Sequence, residues 1–234
     1  MGKCKKVIDR YDGALAAAQI AAGMNAAMRN SIRLYEDAQL LFEARKFPTA
    51  CSLAILSIEE SGKVSVVRGL STVPARYLKK AWKDYRDHQK KNVAWLIGEL
   101  AKKGARKLDD LSVLFDPNSD HPAILDTVKQ LGFYTDCFGS AHWSEPHEAV
   151  DEELTKRIMF IAKVLLPRRE TSEREIQLWM QHVSAHWGTR EMARGALEFE
   201  KAMIAEGLSN RSVEEVEKFY DPATFRGVRS ADEE

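Results

Sequence analysis

Two polar clusters hold the residue types that acid–base and phosphate chemistry require. The first is SIEESGK, residues 57–63, where Glu59, Glu60 and Lys63 interrupt a run that is otherwise apolar or small. The second is DYRDHQKK, residues 84–91, which brings Arg86, His88, Lys90 and Lys91 together just before Asn92. A histidine among cations binds its proton less tightly, so His88 can act as a base near neutral pH. Tyr77, Trp82, Tyr85 and Trp95 are interleaved with this charge, the composition of a surface that stacks bases and holds phosphates. An exposed basic helix with its aromatics turned to the core has the same composition, and both readings stand at this level.

The first cluster is open in the same way. Glu59 and Lys63 are four apart and Glu60 and Lys63 three apart. Either pair can meet on a helix surface for only about 0.2–0.5 kcal/mol. One reading is a solvated pair; the other is a partly buried pair bordering an interhelical groove. Gly62, in mid-helix, costs about 1 kcal/mol relative to Ala, which close approach of another helix would offset.

The elements that must position these residues are helical. Residues 14–45 are rich in Ala, Leu, Met, Gln and Glu and predict one long helix. Pro48 fits the first turn of a second helix reaching about Leu70, with Cys51, Ala54, Ile55, Ile58, Gly62 and Ser65 on one stripe. Pro74 opens a third, bent or broken near Asp84 and capped at Gly104. Pro122 begins a short helix, and residues 133–150 are irregular, with no period. Asp151 is the expected N-cap of the next helix, which Pro167 ends. TSERE then starts a group of amphipathic helices with boundaries near Gly188 and at GLSN. No strand is predicted. The fold class is all-α.

Composition agrees with a soluble globular chain of 234 residues, 44% hydrophobic and 30% charged. Formal net charge is zero, yet residues 76–107 carry 11 Lys/Arg against 3 Asp/Glu. A neutral whole therefore conceals a basic segment. Three cysteines without framework spacing suggest a reducing compartment. With neither a membrane-spanning run nor a secretory h-region, a cytoplasmic protein that does not engage membranes is expected.

Several site types do not fit. Cys137, His142 and His147 lack a fourth metal ligand, and His182 and His186 lack the glutamate of H-E-x-x-H. No P-loop, G-x-G-x-x-G or G-x-S-x-G occurs, and no cofactor or metal is expected.

The order of signals resembles the AbiV family of bacterial abortive-infection proteins. The resemblance covers residues 22–166: a helix with A-x-x-L-A, then E-E-x-G-K, then R-x-H-x-x-K, then a Y-x-D stretch before a Pro-containing loop. These are Glu59, Glu60, Gly62 and Lys63; Arg86, His88 and Lys91; and Tyr134, Asp136 and Pro146. More distantly the pattern is similar to the HEPN superfamily, many of whose members are dimeric, metal-independent ribonucleases with an R-x4-6-H motif. That motif does not occur here, since Arg86 and His88 are separated by one residue.

The resemblance implies a HEPN-like helical bundle over residues 1–167, with residues 168–234 as a helical extension ending in a polar tail. It implies an antiphage defence effector that halts host growth or translation on infection. Such a chain would act as a homodimer, with a phage-encoded activator protein or an RNA (tRNA, mRNA or ribosome) as partner. Under a nuclease reading, Glu60, Lys63, Arg86 and His88 would be catalytic. His88 would take the 2′-hydroxyl proton, Arg86 or Lys63 would steady the phosphorane charge, and a glutamate would orient them. Glu59, Lys90, Lys91, Asn92, Tyr134 and Asp136 would bind. The alternative is a non-catalytic helical module that uses the same residues to hold a phage protein or a translation component.

Overall fold

The computed structural model describes residues 10–87, 121–189 and 191–220. Helix α1 spans Ala17–Glu43 and α2 spans Phe47–Leu70, close to the expected bounds. A Schellman-type turn joins them: the amides of Arg45 and Lys46 donate to the carbonyls of Phe42 and Leu41. Arg45 holds the left-handed conformation (φ 58°) that glycine usually supplies there. The two helices run antiparallel, because Phe42 packs on Phe47, Ser57 Oγ donates to Ser31 O, and Gly23 faces Val67.

After Pro74 a 3-10 turn, Ala75–Tyr77, leads into α3, Leu78–Arg86. The break expected near Asp84 comes at Asp87, whose backbone is extended; a Lys80–Asp84 ion pair of 2.9 Å supports the turn in between. Helix α4 spans His121–Phe133. Next, where irregular chain was expected, stands a small antiparallel hairpin, β1 Asp136–Phe138 and β2 His142–Ser144, with Cys137 opposite Trp143. Its strands are three residues long and almost wholly exposed, so they carry no inside–outside alternation to read.

A single turn, α5 (Pro146–Ala149), precedes α6, Glu152–Leu165, whose Asp151 cap accepts from Leu154 N. Helix α7, Glu173–Val183, is capped by Ser172, and α8 spans Met192–Ala205. The Gly188 and Gly207 boundaries both carry positive φ. Helix α9, Val213–Phe219, starts with a full Ser212–Glu215 capping box. No helix among the described residues is long and apolar enough to cross a membrane.

Among the described residues, three clusters hold the helices together. In the first, Ala54, Ile55 and Ile58 of α2 meet Leu125 of α4 and Ile158, Ile161 and Ala162 of α6. In the second, Ile20 and Met24 of α1, Val67 of α2 and Trp82 of α3 meet Ile176 of α7. The third joins Trp179 to Phe199 and Met203 of α8. The stripe predicted on α2 is buried through Ile58 and then drifts: Gly62 is half-buried and Ser65 exposed, with Val67 and Leu70 taking over inside.

Candidate functional site

Helix α4 supplies the partner that the first cluster needs. It runs antiparallel to α2 at very short range, made possible by Gly132. A Cβ there would meet Ser52 Oγ and come within 2.8 Å of the Pro48 carbonyl. Ser52 Oγ donates to Lys129 O at 3.0 Å. From that anchor the Lys129 side chain reaches back along its own helix, as helical side chains do. It donates to Glu59 Oε1 at 2.6 Å and also lies 2.6 Å from Asp126 Oδ1.

Glu59 and Lys129 are buried, and Asp126 is the member of the trio that opens to solvent. Desolvation alone would lower the Lys129 pKa. Hydrogen bonds to Asp126 and Glu59, with their negative charge, outweigh it, and the net shift is upward. Lys129 is thus held as an ammonium between two carboxylates. It cannot serve as a base at neutral pH.

Asp126 also lines a groove of about 340 Å³ with Gln130, Tyr134, Asp136 and Phe138. Two residues expected to bind, Tyr134 and Asp136, therefore share one concavity, and it is joined through Asp126 and Lys129 to a third, Glu59. Tyr134 is 61% exposed, and Asp136 Oδ1 caps its own hairpin by accepting from Cys137 N at 2.7 Å. Asp126 and Lys129 were not anticipated as site residues. Their signal in the sequence is an acid–base pair three residues apart on a short helix otherwise apolar at Leu125, Val128 and Leu131.

Glu60 lies about 100° around α2 from Glu59 and belongs to a different face. It pairs with Lys63, both side chains being largely buried (15% and 20% exposed). The Glu59–Lys63 pairing is not the one the fold adopts: Glu59 turns to α4 and Glu60 takes the lysine. Lys63 Nζ stands 6.0 Å from the Tyr85 ring centroid. The EESGK stretch therefore faces the start of DYRDHQKK.

Arg86 has a different engagement. Its guanidinium donates to Tyr11 O at 2.6 Å and Trp82 O at 3.2 Å and lies over the Trp82 ring. Trp82 Nε1 in turn donates to Gly13 O at 2.9 Å. Arg86 straps residues 11–13 onto α3. His88, Lys90, Lys91 and Asn92 lie outside the described residues.

Comparison with known proteins returns one result. A family model of HEPN type, described as AbiV, matches residues 19–167. No curated protein and no solved structure matches. The matched span runs from α1 to the end of α6 and takes in the Glu59–Lys129–Asp126 trio, the Glu60–Lys63 pair, Arg86 and the groove at Tyr134. An all-α bundle whose match covers well over half of its length places the chain in the AbiV family of HEPN-type proteins.

Proposed function

We propose that this chain is an abortive-infection effector that halts host growth or translation when phage infects, acting on RNA as a metal-independent ribonuclease. The observation that carries this reading is the position of Lys63. Paired with Glu60, it is a largely buried cation that faces the ring of Tyr85, and Tyr85 precedes His88 by three residues. In that role His88 takes the 2′-hydroxyl proton, Lys63 steadies charge on the phosphorane, and Glu60 holds Lys63 in place. The protein works in the cytoplasm as a homodimer, responding to a phage-encoded activator. Residues 1–167 form the effector unit and 168–234 an extension.

Wild type and His88→Ala are compared on total bacterial RNA, including tRNA and ribosomes, in EDTA, which silences contaminating metal-dependent nucleases. Fragments from wild type and none from the variant are expected. Intact RNA from both, with folded protein and an infected-cell extract added as activator source, sinks the nuclease reading.

A second reading rests on the hairpin face. Tyr134 and Phe138, 61% and 46% exposed, line the groove that holds Asp126 and Asp136. Exposed aromatics beside carboxylates suit a non-catalytic module that captures a phage protein or a translation component. Loss of phage protection in Phe138→Ala, with RNA intact throughout infection, would favour it.

A further inference from the structure

The groove beside Tyr134 combines charge and aromatic surface that the bundle itself leaves unused. Its volume of about 340 Å³, between the end of α4 and strand β1, is room for a large side chain and not for a folded domain. Its walls carry two carboxylates, Asp126 and Asp136, and two aromatic rings, Tyr134 and Phe138, with Leu131 adding apolar surface. No lysine or arginine is among its lining residues. Asp136 and Phe138 reach it together because residues two apart on a strand share a face. Tyr134 joins them from the helix side, its amide still donating to Gln130 O at 2.9 Å and so continuing the last turn of α4.

Each carboxylate has one oxygen engaged. Asp126 Oδ1 meets Lys129, which divides its charge between Asp126 and Glu59. Asp136 Oδ1 accepts from Cys137 N. The second oxygen of each has no bonding partner among the described residues, and Asp136 forms no ion pair there.

The aromatic faces are open as well. Elsewhere this chain lays its own cations over its rings: Arg45 over Phe47, Arg76 over Tyr77 and Arg86 over Trp82, at 5.5, 4.9 and 5.3 Å from the centroids. Among the described residues no cation stands over Tyr134 or Phe138, and both are exposed.

A ring draws a cation to its face, and a carboxylate beside it adds Coulombic attraction. Arginine suits this pairing better than lysine. Its planar fork offers parallel N–H donors to a carboxylate while its face stacks on a ring. An open groove continued by an exposed Phe133 fits an anchor residue on a protein surface, where an enclosed cavity would fit a free small molecule.

We infer that this groove takes an arginine side chain presented by a partner protein, with the guanidinium on Asp126 and Asp136 and its stem and face against Tyr134 and Phe138. The inference rests on the reading of the hairpin face as a protein-capturing surface and adds what that surface grips.

Chemical-shift mapping of the isotope-labelled full chain tests it. The probes are a blocked tripeptide with a central arginine, the same peptide with lysine or with citrulline (the neutral isostere), and spermidine as a free small cation. Amides of residues 126–138 should move. The arginine peptide should bind at least about tenfold more tightly than the citrulline peptide, the effect of one charge-assisted contact. Asp136→Asn keeps the oxygen that caps Cys137 N, so the hairpin stands, yet it should weaken the arginine peptide at least about fivefold. Tyr134→Ala should weaken it several-fold. Trp143→Ala, on the opposite face of the hairpin with Cys137, should leave it unchanged.

No binding of the arginine peptide, equal binding of the citrulline peptide, spermidine binding as tightly as the peptide, or affinity unchanged in Asp136→Asn would each overturn the inference. In phage challenge Asp136→Asn should lose protection as Phe138→Ala does. Loss in Phe138→Ala alone would overturn the arginine anchor and leave the capture reading standing. Protection kept by both variants would sink the capture reading, and the titration alone would then decide the anchor.

Discussion

Lys129 Nζ on α4 lies 2.6 Å from Glu59 Oε1 on α2, across 70 residues of sequence, with both side chains buried. This contact ties the EESGK stretch to the groove at Tyr134, because Asp126 touches both the lysine and the groove. It makes part of the family's motif a matter of architecture.

Removing Lys129 leaves a buried carboxylate without its cation. Lys129→Met should lower stability by about 3–5 kcal/mol in urea unfolding, the usual effect of breaking a buried pair. The double variant Glu59→Gln with Lys129→Met should recover part of that loss. A single-variant loss below about 1 kcal/mol, the range of a surface pair, would refute a buried role.

The same lysine sets a pH signature. Its folded pKa is raised above the ordinary 10.5. Its contribution is therefore complete below that value, and it is lost only as pH climbs through the folded pKa. The stability gap between wild type and Lys129→Met should stay flat from about pH 7 to 10 and narrow at higher pH. A gap that closes between about pH 7 and 9 would contradict the upward shift.

Cys51 and Cys137 should separate cleanly in thiol labelling. Cys51 is buried and its thiol is pushed up to about 12, first by desolvation, whereas Cys137 is exposed on β1. In a Cys4→Ser background at pH 8, iodoacetamide should modify Cys137 in the native protein and reach Cys51 only after unfolding. Above the ordinary thiol value of 9.0 the unfolded chain ionises while the folded one does not. Wild type should then lose stability between pH 9 and 12 more steeply than Cys51→Ala, by up to about 1.4 kcal/mol per pH unit. Equal slopes would show that the thiol is not shielded.

Two glycines on facing helices should respond in opposite directions to alanine. At Gly132 a methyl group runs into Ser52 and the Pro48 carbonyl, so Gly132→Ala should destabilise by about 1–3 kcal/mol. At Gly69, in the last turn of α2, a Cβ meets nothing within 4 Å. Gly69→Ala should stabilise by up to about 1 kcal/mol through helix propensity. Thermal melts of both variants decide the matter, and a neutral Gly132→Ala would mean that α4 does not approach α2 this closely.

Arg86→Ala should release the chain before α1. Losing the bonds to Tyr11 O and Trp82 O should cost about 1.5–3 kcal/mol. Hydrogen exchange at residues 11–15 should rise while α6 stays protected. Unchanged exchange there would dissociate Arg86 from the strap.

The helices, their caps and their order were legible in the residues because they depend on local chemistry. Pro48 at a first turn, Asp151 and Ser172 as caps, and Gly188 and Gly207 at boundaries each act within a few residues of themselves. Family membership was legible for the same reason, since its motifs are short and ordered along the chain. The hairpin at 136–144 was not, because exposed three-residue strands carry no burial period. Partner choice was not legible either. Glu59, Glu60 and Lys63 share one helical turn, and spacing alone allowed two pairings at nearly equal energy. Only the arrival of Lys129 from α4, at a distance set by the missing side chain of Gly132, separated Glu59 from Glu60. Arg86 likewise reads in sequence as a free cation beside a histidine, and in the fold it is held by the Tyr11 carbonyl, 75 residues away, as well as by that of Trp82 on its own helix. Periodicity and capping are properties of the chain itself; pairing between buried charges is decided by which helices meet, and that belongs to the tertiary structure.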